Sequence, residues 1–271
     1  MPTIQVPPET RPLSAPASGA GLQRRDWIAG LEKGLAILES FGDAHPRMTA
    51  AQAGERVGMM RTAARRHLLT LLHLRYVATD GKLFWLTARV LRLGQAYIES
   101  SRLARIVQPF LQRITAGTQE IAYLSALDGD DIVYVARNGP NRAMNTGFVL
   151  GARVPAHVTA AGMLLLALRD SPNSQDWLAG ATLRTYTSFT ITDKDTMRHE
   201  FARIRVQGWA HSEQQLELSY RGIAVPLRDA RGQLVGALNV TMPIGHESAE
   251  AAAGRTLNVL RETAQALRPL I

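Results

Sequence analysis

The sequence predicts an α+β protein of two modules, and three observations lead to this prediction. The excess of positive charge lies in the N-terminal part of the chain. That part also has the sequence pattern of three helices followed by a β-hairpin. From Ile121 onward the pattern changes to strands and helices in mixed order. The chain has 271 residues, which suggests two domains of roughly 100–200 residues each. It is 46% hydrophobic and 20% charged, a composition that is typical of a globular protein with a buried core.

The first helix is predicted between Trp27 and Phe41. Its apolar residues recur at helical spacing, which indicates that one face is buried. These residues are Ile28, Leu31, Leu35 and Leu38. The preceding segment is rich in Pro, Ser, Ala and Gly and has no apolar stretch of the kind found in a signal peptide, so we expect a disordered tail over residues 1–25.

Two further helices and a hairpin follow the first helix. A short helix is expected from its N-cap Thr49 to Val57, where a glycine ends it. The next helix runs from about Arg61 to Leu74. Two short strands from Tyr76 to Thr87 surround Asp80-Gly81, which is a strong hairpin signal. This order is that of a winged helix-turn-helix domain over residues 26–87.

The second module is predicted to contain a sheet with helices on one or both faces. A helical stretch over residues 88–106 is expected to join the modules, and Pro109 to open another helix through Gly117. An α/β domain is then expected over residues 107–271. Its predicted strands are Ile121–Leu127, Ile132–Arg137, Ala143–Val149, Gly222–Leu227 and Leu234–Met242, and its predicted helices are Val158–Leu168, Asp193–Val206 and Glu247–Leu267.

The positive charge is unevenly divided between the modules. The chain carries 31 Lys and Arg residues against 23 Asp and Glu, a net charge of +8. Residues 1–106 hold 15 basic and 8 acidic side chains, whereas residues 107–271 hold 16 and 15. An anionic partner is therefore expected for the N-terminal module alone, although a solvated basic surface without a partner would carry the same charge.

Several classes of function are disfavoured by what the sequence lacks. Because there is no cysteine, disulfides, thiol nucleophiles and thiolate metal sites are excluded. The longest apolar run, Met163–Leu168, is far too short to span a membrane, so we expect no membrane partner and a cytoplasmic location. P-loop, dinucleotide-binding, nucleophile-elbow and zinc-protease motifs are missing. We therefore expect no catalytic residue, no cofactor and no metal site.

The third helix has the pattern of a recognition helix for DNA. An apolar stripe of Ala64, Leu68, Leu71 and Leu72 faces the core, and arginines lie beside it near the helix N-terminus. Arginine can bind guanine through two hydrogen bonds or grip a phosphate. Leu69 lies on the arginine side and is expected to pack under the hairpin. The predicted DNA contacts are Thr49, Arg61, Thr62, Arg65, Arg66 and, at the hairpin tip, Lys82.

These segments resemble a known family. Gly30–Phe41 and Met48–Val77 resemble the DNA-binding domain of the isocitrate lyase regulator (IclR) family of bacterial transcription factors, and Gly151–Gly162 and Gln215–Pro226 resemble motifs of its second domain. The resemblance covers about residues 27–268 in the right order. It implies a GAF-like α/β effector-binding domain at the C-terminus.

One subgroup of that family is a closer match, namely the regulators of protocatechuate, 4-hydroxybenzoate and β-ketoadipate catabolism. Ala63–Arg66, Asp80–Phe84 and Asp128–Arg137 resemble this subgroup. The resemblance implies a homodimer or a dimer of dimers that binds palindromic operators. Many members of the subgroup activate transcription in response to an aromatic acid, and activation would make RNA polymerase a further partner.

Three positions depart from the family pattern. Met60 has no side-chain acceptor to cap the recognition helix. Arg75 stands where a glycine usually precedes Tyr76, and it would be strained by roughly 1 kcal/mol or more if the backbone there is left-handed. Met163 replaces the Lys or Arg that usually follows Gly162, which removes a charge beside the expected effector site.

The expected effector site lies where a loop enters the apolar helix. Unpaired N–H groups at the start of this helix, together with the helix dipole, would bind a carboxylate. The predicted contacts, most of them implied by the resemblance, are His157, Thr159, Ala160, Ala161, Ser212, Gly222, Asn239, Thr241 and Arg137. Asn239 and Thr241 could equally face solvent, and His157 could simply cap the loop. The arginine that pairs the carboxylate is left open among Arg137, Arg142, Arg153 and Arg221.

The sequence therefore predicts a ligand-responsive DNA-binding regulator of aromatic-acid catabolism genes, with 4-hydroxybenzoate or protocatechuate as candidate effectors. Two alternatives remain open at this point. One is a repressor of the same family that responds to a non-aromatic organic acid. The other is an architectural DNA-binding protein, which would have no small-molecule pocket.

Overall fold

The structure, a computed structural model, describes residues 24–139, 149–169 and 173–271. These residues form two compact units that divide between Tyr97 and Ile98. Most of the predicted tail over residues 1–25, nearly all of the strand predicted at Ala143–Val149, and Arg142 lie outside the described residues. In the described part of the chain, no helix combines the length and apolar character that a membrane span needs.

The first unit contains the predicted helices and hairpin. They are α1 (Ala29–Glu39), α2 (Ala50–Arg56), α3 (Arg61–His73), β1 (Val77–Thr79) and β2 (Phe84–Leu86). Thr49 caps α2 as predicted: its hydroxyl accepts the Gln52 N–H, and the Gln52 side chain accepts the Thr49 N–H. This reciprocal pair is a capping box, which satisfies two N–H groups that the helix itself leaves unpaired.

The buried face of α1 differs from the predicted one. Ile28 and Leu31 are 70% and 61% exposed, whereas Ile37 is completely buried. Ile37 packs in a core with residues of α2, α3 and the hairpin, and Leu38 packs partly against it. Helical spacing identifies an apolar face but not the surface that covers it, and within this unit α3 covers only the Ile37 side.

The helical stretch predicted over residues 88–106 is interrupted. A 3-10 turn at Ala88–Val90 leads to α4 (Leu91–Ser100), and α5 (Arg102–Thr118) starts anew. Ser101 caps α5 by accepting the Ala104 N–H over 3.3 Å. Pro109, which was expected to open a helix, lies inside α5. The serine cap sets the start of α5, and burial of apolar residues on both sides of the proline holds the helix together.

The second unit is built on an antiparallel sheet whose strand order differs from the order along the chain. Within the described residues the sheet has six strands in the order β5-β4-β3-β8-β7-β6. They are β3 (Ile121–Asp128), β4 (Asp131–Asn138), β5 (Arg153–Pro155), β6 (Ala210–Glu213), β7 (Tyr220–Arg228) and β8 (Leu234–Pro243). The short edge strand β5 was not predicted, and β6 was expected only from the family resemblance, as a strand around Ser212. Edge strands of three or four residues give too little alternation to be recognised in a sequence.

Helices cover both faces of this sheet. They are α6 (Ala160–Ala167), α7 (Asn173–Gly180), α8 (Lys194–Gln207) and α9 (Ala249–Leu267). One hydrophobic core lies between the sheet and α6 and α8, and we call this side the α6 face. The other core lies between the sheet and α5 and α9, and we call this side the α9 face. The predicted α+β architecture is confirmed.

Helix α3 ends with a residue in the left-handed conformation, at the position where the family pattern suggested one. Arg75 has a φ of +66°, its N–H donates to the Leu72 carbonyl, and the Tyr76 N–H donates to the Leu71 carbonyl, both over 2.9 Å. This pair of bonds defines a Schellman motif, in which the left-handed position is usually glycine. The expected strain at Arg75 is therefore present.

Replacing Arg75 with glycine is expected to raise the free energy of unfolding by about 1 kcal/mol, because glycine adopts the left-handed conformation without steric strain. Urea denaturation measures the change. Arg75→Ala is the matched control, since it removes the same side chain and retains the strain. Equal stabilisation by both variants would show that the backbone is not the cause.

Candidate functional site

The turn between α2 and α3 is held tight by two glycines. The Met59 N–H donates to the Gly54 carbonyl over 2.7 Å, and a Cβ at position 54 would lie 2.6 Å from the Met59 carbonyl oxygen. Gly58 has a φ of +67°, a left-handed conformation that suits glycine. These contacts fix the start of α3 against α2, as a helix-turn-helix requires.

The N-terminal half of α3 presents the predicted DNA contacts to solvent. The opposite side of the helix carries Ala64, Leu68 and Leu71, which are buried. The exposed side carries Arg61, Thr62, Arg65 and Arg66. Met60 makes no side-chain hydrogen bond to the first turn, as its apolar side chain predicted. The structure thus brings four predicted contacts together on one surface of the recognition helix.

Leu69 is exposed rather than packed under the hairpin. Its exposed fraction is 38%, and it lies one turn beyond Arg65 on the same side of α3. The hairpin instead packs through Val77 and Phe84 into the core that contains Leu68. The prediction was wrong because the hairpin folds onto the buried stripe, and Leu69 adds an apolar patch to the arginine surface.

The hairpin presents Lys82 at its tip, as predicted. The Asp80 carboxylate accepts the Leu83 N–H over 2.7 Å and the Lys82 N–H over 2.9 Å. These two hydrogen bonds, the one from Leu83 first, lower the pKa of Asp80. Lys82 itself is exposed. The turn is therefore pinned from within, and its lysine is left for an outside partner.

The Thr49 hydroxyl, predicted to contact a phosphate, is engaged in capping α2. It accepts the Gln52 N–H over 3.3 Å and lies 3.0 Å from the Gln52 Oε1. The Thr49 N–H is also paired, with the same Oε1 at 2.9 Å. In this arrangement Thr49 positions the start of α2, and a phosphate contact through its hydroxyl would require the capping box to open.

The second unit has a cavity of about 40 Å³ at the N-terminus of α6, on the α6 face of the sheet. Seven of the predicted effector contacts line it: Thr159, Ala160, Ala161, Ser212, Gly222, Asn239 and Thr241. Asn239 and Thr241 are only 4% and 8% exposed. Their side of β8 therefore faces the interior, which removes the alternative that they face solvent.

The floor of the cavity is made by hydrogen bonds between segments far apart in the chain. The Ser212 Oγ accepts the Ala160 N–H over 3.1 Å, and the Ser125 hydroxyl donates to the Asn239 Oδ1 over 2.7 Å. A Cβ at Gly222 would lie 3.0 Å from the Ser212 Oγ. A glycine is therefore needed there to leave room for both the cavity and the Ser212 bond.

The start of α6 offers fewer free N–H groups than the sequence suggested. Thr159 caps the helix by accepting the Gly162 N–H over 3.1 Å, and its own N–H lies 3.4 Å from the Ala156 carbonyl. The Ala160 N–H is bound by Ser212. Of the three N–H groups expected to be unpaired, only that of Ala161 has no partner among the described residues. The number of free N–H groups is lower than predicted partly because Ser212, on strand β6, places its hydroxyl against the start of α6.

Gly162 permits the close packing of α6 on the preceding turn. A Cβ at this position would lie 2.2 Å from the carbonyl oxygen of Ala156 and 2.3 Å from its Cα. Such contacts are with backbone atoms, which cannot turn away as a flexible side chain can. The position of the α6 N-terminus over the cavity therefore depends on this glycine.

His157 does not line the cavity. It is 5% exposed, and its Nε2 lies 3.0 Å from the Arg184 carbonyl oxygen. Burial lowers the pKa of His157, so the ring is neutral near pH 7. The structure thus supports the alternative in which His157 holds the loop in place, by fastening the segment 181–193 to the start of α6.

The arginines considered for the carboxylate have different surroundings. The Arg137 guanidinium lies 6.0 Å from the Tyr123 ring centroid, and Tyr123 contacts Tyr134 with ring centroids 4.4 Å apart. Tyr134 lines the cavity, whereas Arg137 does not. Arg153 forms ion pairs with Asp128 and Asp131 on the surface.

The side chain of Arg221 lies on the α9 face, behind the cavity. Its Nη1 donates to the carbonyl oxygens of Glu247 and Ser248 over 3.0 and 2.8 Å, and its Nη2 lies 3.1 Å from the Glu213 carboxylate. Neighbouring residues of a strand point to opposite faces, so Arg221, although it borders the cavity beside Gly222, directs its guanidinium away from the cavity. Arg142 is outside the described residues.

The structure adds cavity residues that the sequence prediction did not name. They are Tyr134, Val158, Gln214, Gln215, Leu216, Glu217 and Tyr220. Most belong to the loop before β7. Part of this loop lies in the segment Gln215–Pro226 that resembles a family motif, so the resemblance could have identified these residues as part of the effector site. Two threonines pin this loop, since the hydroxyls of Thr187 and Thr190 donate to the carbonyls of Gln214 and Gln215 over 2.5 and 2.6 Å.

Two family models match the chain. Residues 30–81 match the IclR helix-turn-helix domain. Residues 95–268, more than half of the chain, match the model described as the bacterial transcriptional regulator IclR C-terminal domain. The chain belongs to the IclR family. The prediction of a DNA-binding transcriptional regulator is thereby confirmed.

Other IclR-family proteins are similar over most of the chain. The Pca operon regulatory protein of Acinetobacter baylyi is 36% identical over 254 residues, covering 92% of this chain and 91% of that protein. The p-hydroxybenzoate hydroxylase transcriptional activator of the same species is 37% identical over 264 residues, covering 96% and 97%. These names describe transcriptional regulators.

A solved structure of a transcription-factor domain is similar to part of this chain. It is a double mutant of the inducer-binding domain of the PobR transcription factor from Acinetobacter, in complex with 3-hydroxybenzoic acid. The identity is 31% and the TM-score is 0.60, and the match covers 63% of this chain and 100% of that chain. The chain is therefore similar, over 63% of its length, to a domain that was crystallised with an aromatic acid.

Replacing Gly162 with alanine is expected to lower the free energy of unfolding by about 1–3 kcal/mol, as overpacking does. Thermal denaturation followed by circular dichroism measures it. Gly254→Ala is the matched control, because Gly254 lies in α9 with nothing within 4 Å of an added Cβ and alanine favours a helix by up to about 1 kcal/mol. A Gly162→Ala protein as stable as the wild type would contradict the tight packing.

Proposed function

We propose that this protein regulates genes of aromatic-acid catabolism and that its effector is a small aromatic carboxylate, such as 4-hydroxybenzoate or protocatechuate. The observation that carries the proposal is the cavity, which joins a helix N-terminus to polar side chains and a tyrosine ring. The name of the p-hydroxybenzoate hydroxylase transcriptional activator supports the class of genes, and the 3-hydroxybenzoic acid in the similar inducer-binding domain supports the class of effector. The cavity also counts against an architectural DNA-binding protein, which needs no pocket.

The effector lies with its carboxylate at the start of α6 in this proposal. The Ala161 N–H and the positive end of the helix dipole favour a negative charge there. Thr241 and Asn239, on the floor, suit a ring hydroxyl, since both side chains can form hydrogen bonds. Tyr134 supplies an aromatic wall. Arg137 lies beside the Tyr123 ring, which contacts Tyr134, so a local shift of its side chain would bring the guanidinium to the effector.

The cavity must enlarge to accept such an effector. Its volume of about 40 Å³ is far below the roughly 300–1,000 Å³ of typical ligand pockets. The loop Gln214–Ser219 is the element that moves outward, because it lines the cavity without belonging to a helix or strand. Gln214 and Ser219 have φ values of +55° and +66°, and such strained positions are common in segments that switch conformation.

The DNA-binding unit acts on an operator in this proposal. Arg61, Thr62, Arg65 and Arg66 enter the major groove, and Lys82 contacts the backbone. The functional division follows residues 26–87, 88–106 and 107–271. The protein is a homodimer or a dimer of dimers on a palindromic operator, works in the cytoplasm, and activates transcription together with RNA polymerase.

Replacing Arg65 with alanine is expected to lower operator affinity by about 10- to 100-fold, the loss of one direct arginine contact with a base, and to leave effector binding intact. Fluorescence anisotropy with the promoter beside its own gene measures the affinity. Arg92→Ala, at an exposed arginine of α4, is the control. Unchanged operator affinity in the Arg65 variant would overturn the assignment of α3.

A thermal-shift screen tests the effector class. 4-Hydroxybenzoate or protocatechuate at 100 times its dissociation constant should stabilise the protein by about 2.7 kcal/mol. Thr241→Val should weaken binding by about 2- to 10-fold through the loss of one hydrogen bond, with operator binding as the control for folding. Stabilisation by pyruvate or glyoxylate alone would favour the repressor alternative, and no stabilisation by any acid would favour the architectural one.

A further inference from the structure

A third segment extends the hairpin of the first unit. The Met48 N–H donates to the Phe84 carbonyl over 2.9 Å, and the Phe84 N–H donates to the Met48 carbonyl over 2.8 Å. This reciprocal pair makes Met48 a short antiparallel partner of β2. Arg47 and Trp85, one position further from the hairpin turn, therefore face each other across the two segments.

Arg47 rests on the ring of Trp85. Its Cζ lies 4.2 Å from the ring centroid, well within the range of a cation–π contact. The residue is exposed. In the described part of the chain, no carboxylate forms an ion pair with Arg47, and its guanidinium donates no hydrogen bond. A planar guanidinium stacked in this way keeps the N–H groups of its edge available for an outside acceptor.

Arg47 lies beside β2, within electrostatic range of the hairpin turn. Its positive charge contributes to lowering the pKa of Asp80, after the hydrogen bonds from Leu83 and Lys82. The Asp80 carboxylate is occupied by those two N–H groups and forms no ion pair with Arg47 among the described residues. Arg47 is thus exposed near the turn, and the carboxylate of that turn is occupied by the turn's own N–H groups.

We propose that Arg47 binds a phosphate of the operator backbone and that Trp85 is its positioning residue. The proposal rests on the DNA-binding function proposed above and adds a contact outside α3. A guanidinium can give a phosphate two parallel hydrogen bonds, and a stacked one loses less side-chain freedom when it does so. Such a contact carries no base information, so it strengthens binding to all duplexes and fixes the register of the hairpin.

Arg89 offers a matched comparison within the same unit. Its Cζ lies 5.5 Å from the Tyr76 ring centroid, so it is also an arginine over an aromatic ring. It belongs to the 3-10 turn Ala88–Val90, at the base of the hairpin where Thr87 donates to the Arg75 and Tyr76 carbonyls. Arg89 therefore has the same charge and contact type, but it lies at the end of the hairpin opposite to Lys82.

The test measures binding of the full-length protein to operator DNA and to an unrelated duplex at several salt concentrations, by fluorescence anisotropy. Arg47→Gln should weaken binding to both duplexes by about 5- to 20-fold at low salt. It should also reduce the slope of log K against log salt concentration by about 0.9, the contribution of one phosphate. Arg89→Gln should change the affinity for either duplex by less than about 2-fold and should leave the salt slope unchanged.

Variants of the ring test its positioning role. Trp85→Leu keeps the charge of Arg47 and should still weaken binding, whereas Trp85→Phe keeps an aromatic surface and should retain most of the affinity. If Trp85→Leu fails to fold, as judged by circular dichroism, Arg47→Lys gives the same information. It keeps the charge without the planar stack and should fall between wild type and Arg47→Gln.

The outcomes separate this inference from the function on which it rests. An unchanged salt slope in Arg47→Gln, or an equal loss in Arg89→Gln, would overturn it. If Arg65→Ala weakens operator binding as expected in the same assay while Arg47→Gln does not weaken it, only the Arg47 inference fails. If neither variant weakens binding, the proposed DNA-binding surface fails as a whole.

Discussion

The close approach of α6 to the sheet is the constraint on which the second unit depends. Gly162 allows the helix to pack on the Ala156 backbone, where any Cβ would overlap it. Ser212 then binds the first N–H of the helix from a neighbouring strand, and Gly222 leaves space beneath that bond. Together these contacts place a helix N-terminus directly over a polar floor, which creates the cavity.

The features that the sequence predicted correctly depend on neighbouring residues. The Thr49 cap and the Asp80-Gly81 turn are local patterns of a few residues, and the glycine replaced by Arg75 marked a left-handed position. The errors involve contacts between distant segments. The buried side of α1 is set by α3, and the N–H of Ala160 is taken by Ser212, 52 residues away. Helical periodicity and free N–H groups can be counted in a sequence, but their partners cannot, and for this reason the lining of the cavity was predicted better than its hydrogen bonds.

The loop over the cavity links effector binding to the rest of the second unit. Thr187 and Thr190 bind the carbonyls of Gln214 and Gln215, and His157 binds the Arg184 carbonyl at the other end of the same segment. An effector that pushes the loop outward must therefore shift this segment or break its hydrogen bonds. Thermodynamic reciprocity adds a requirement: an effector that changes operator affinity must bind free and operator-bound protein with different affinities, by the same factor.

The most direct test of this account is the location of the effector site. Isothermal titration calorimetry of 4-hydroxybenzoate should show one site per chain in the wild type. It should show none in Gly222→Val, because the added methyl groups fill the space beneath Ser212. The variant should retain the circular dichroism spectrum of the wild type and a cooperative thermal unfolding transition in the absence of effector, which shows that its second unit is folded. Unchanged effector affinity in Gly222→Val would contradict the account, because the effector would then bind elsewhere.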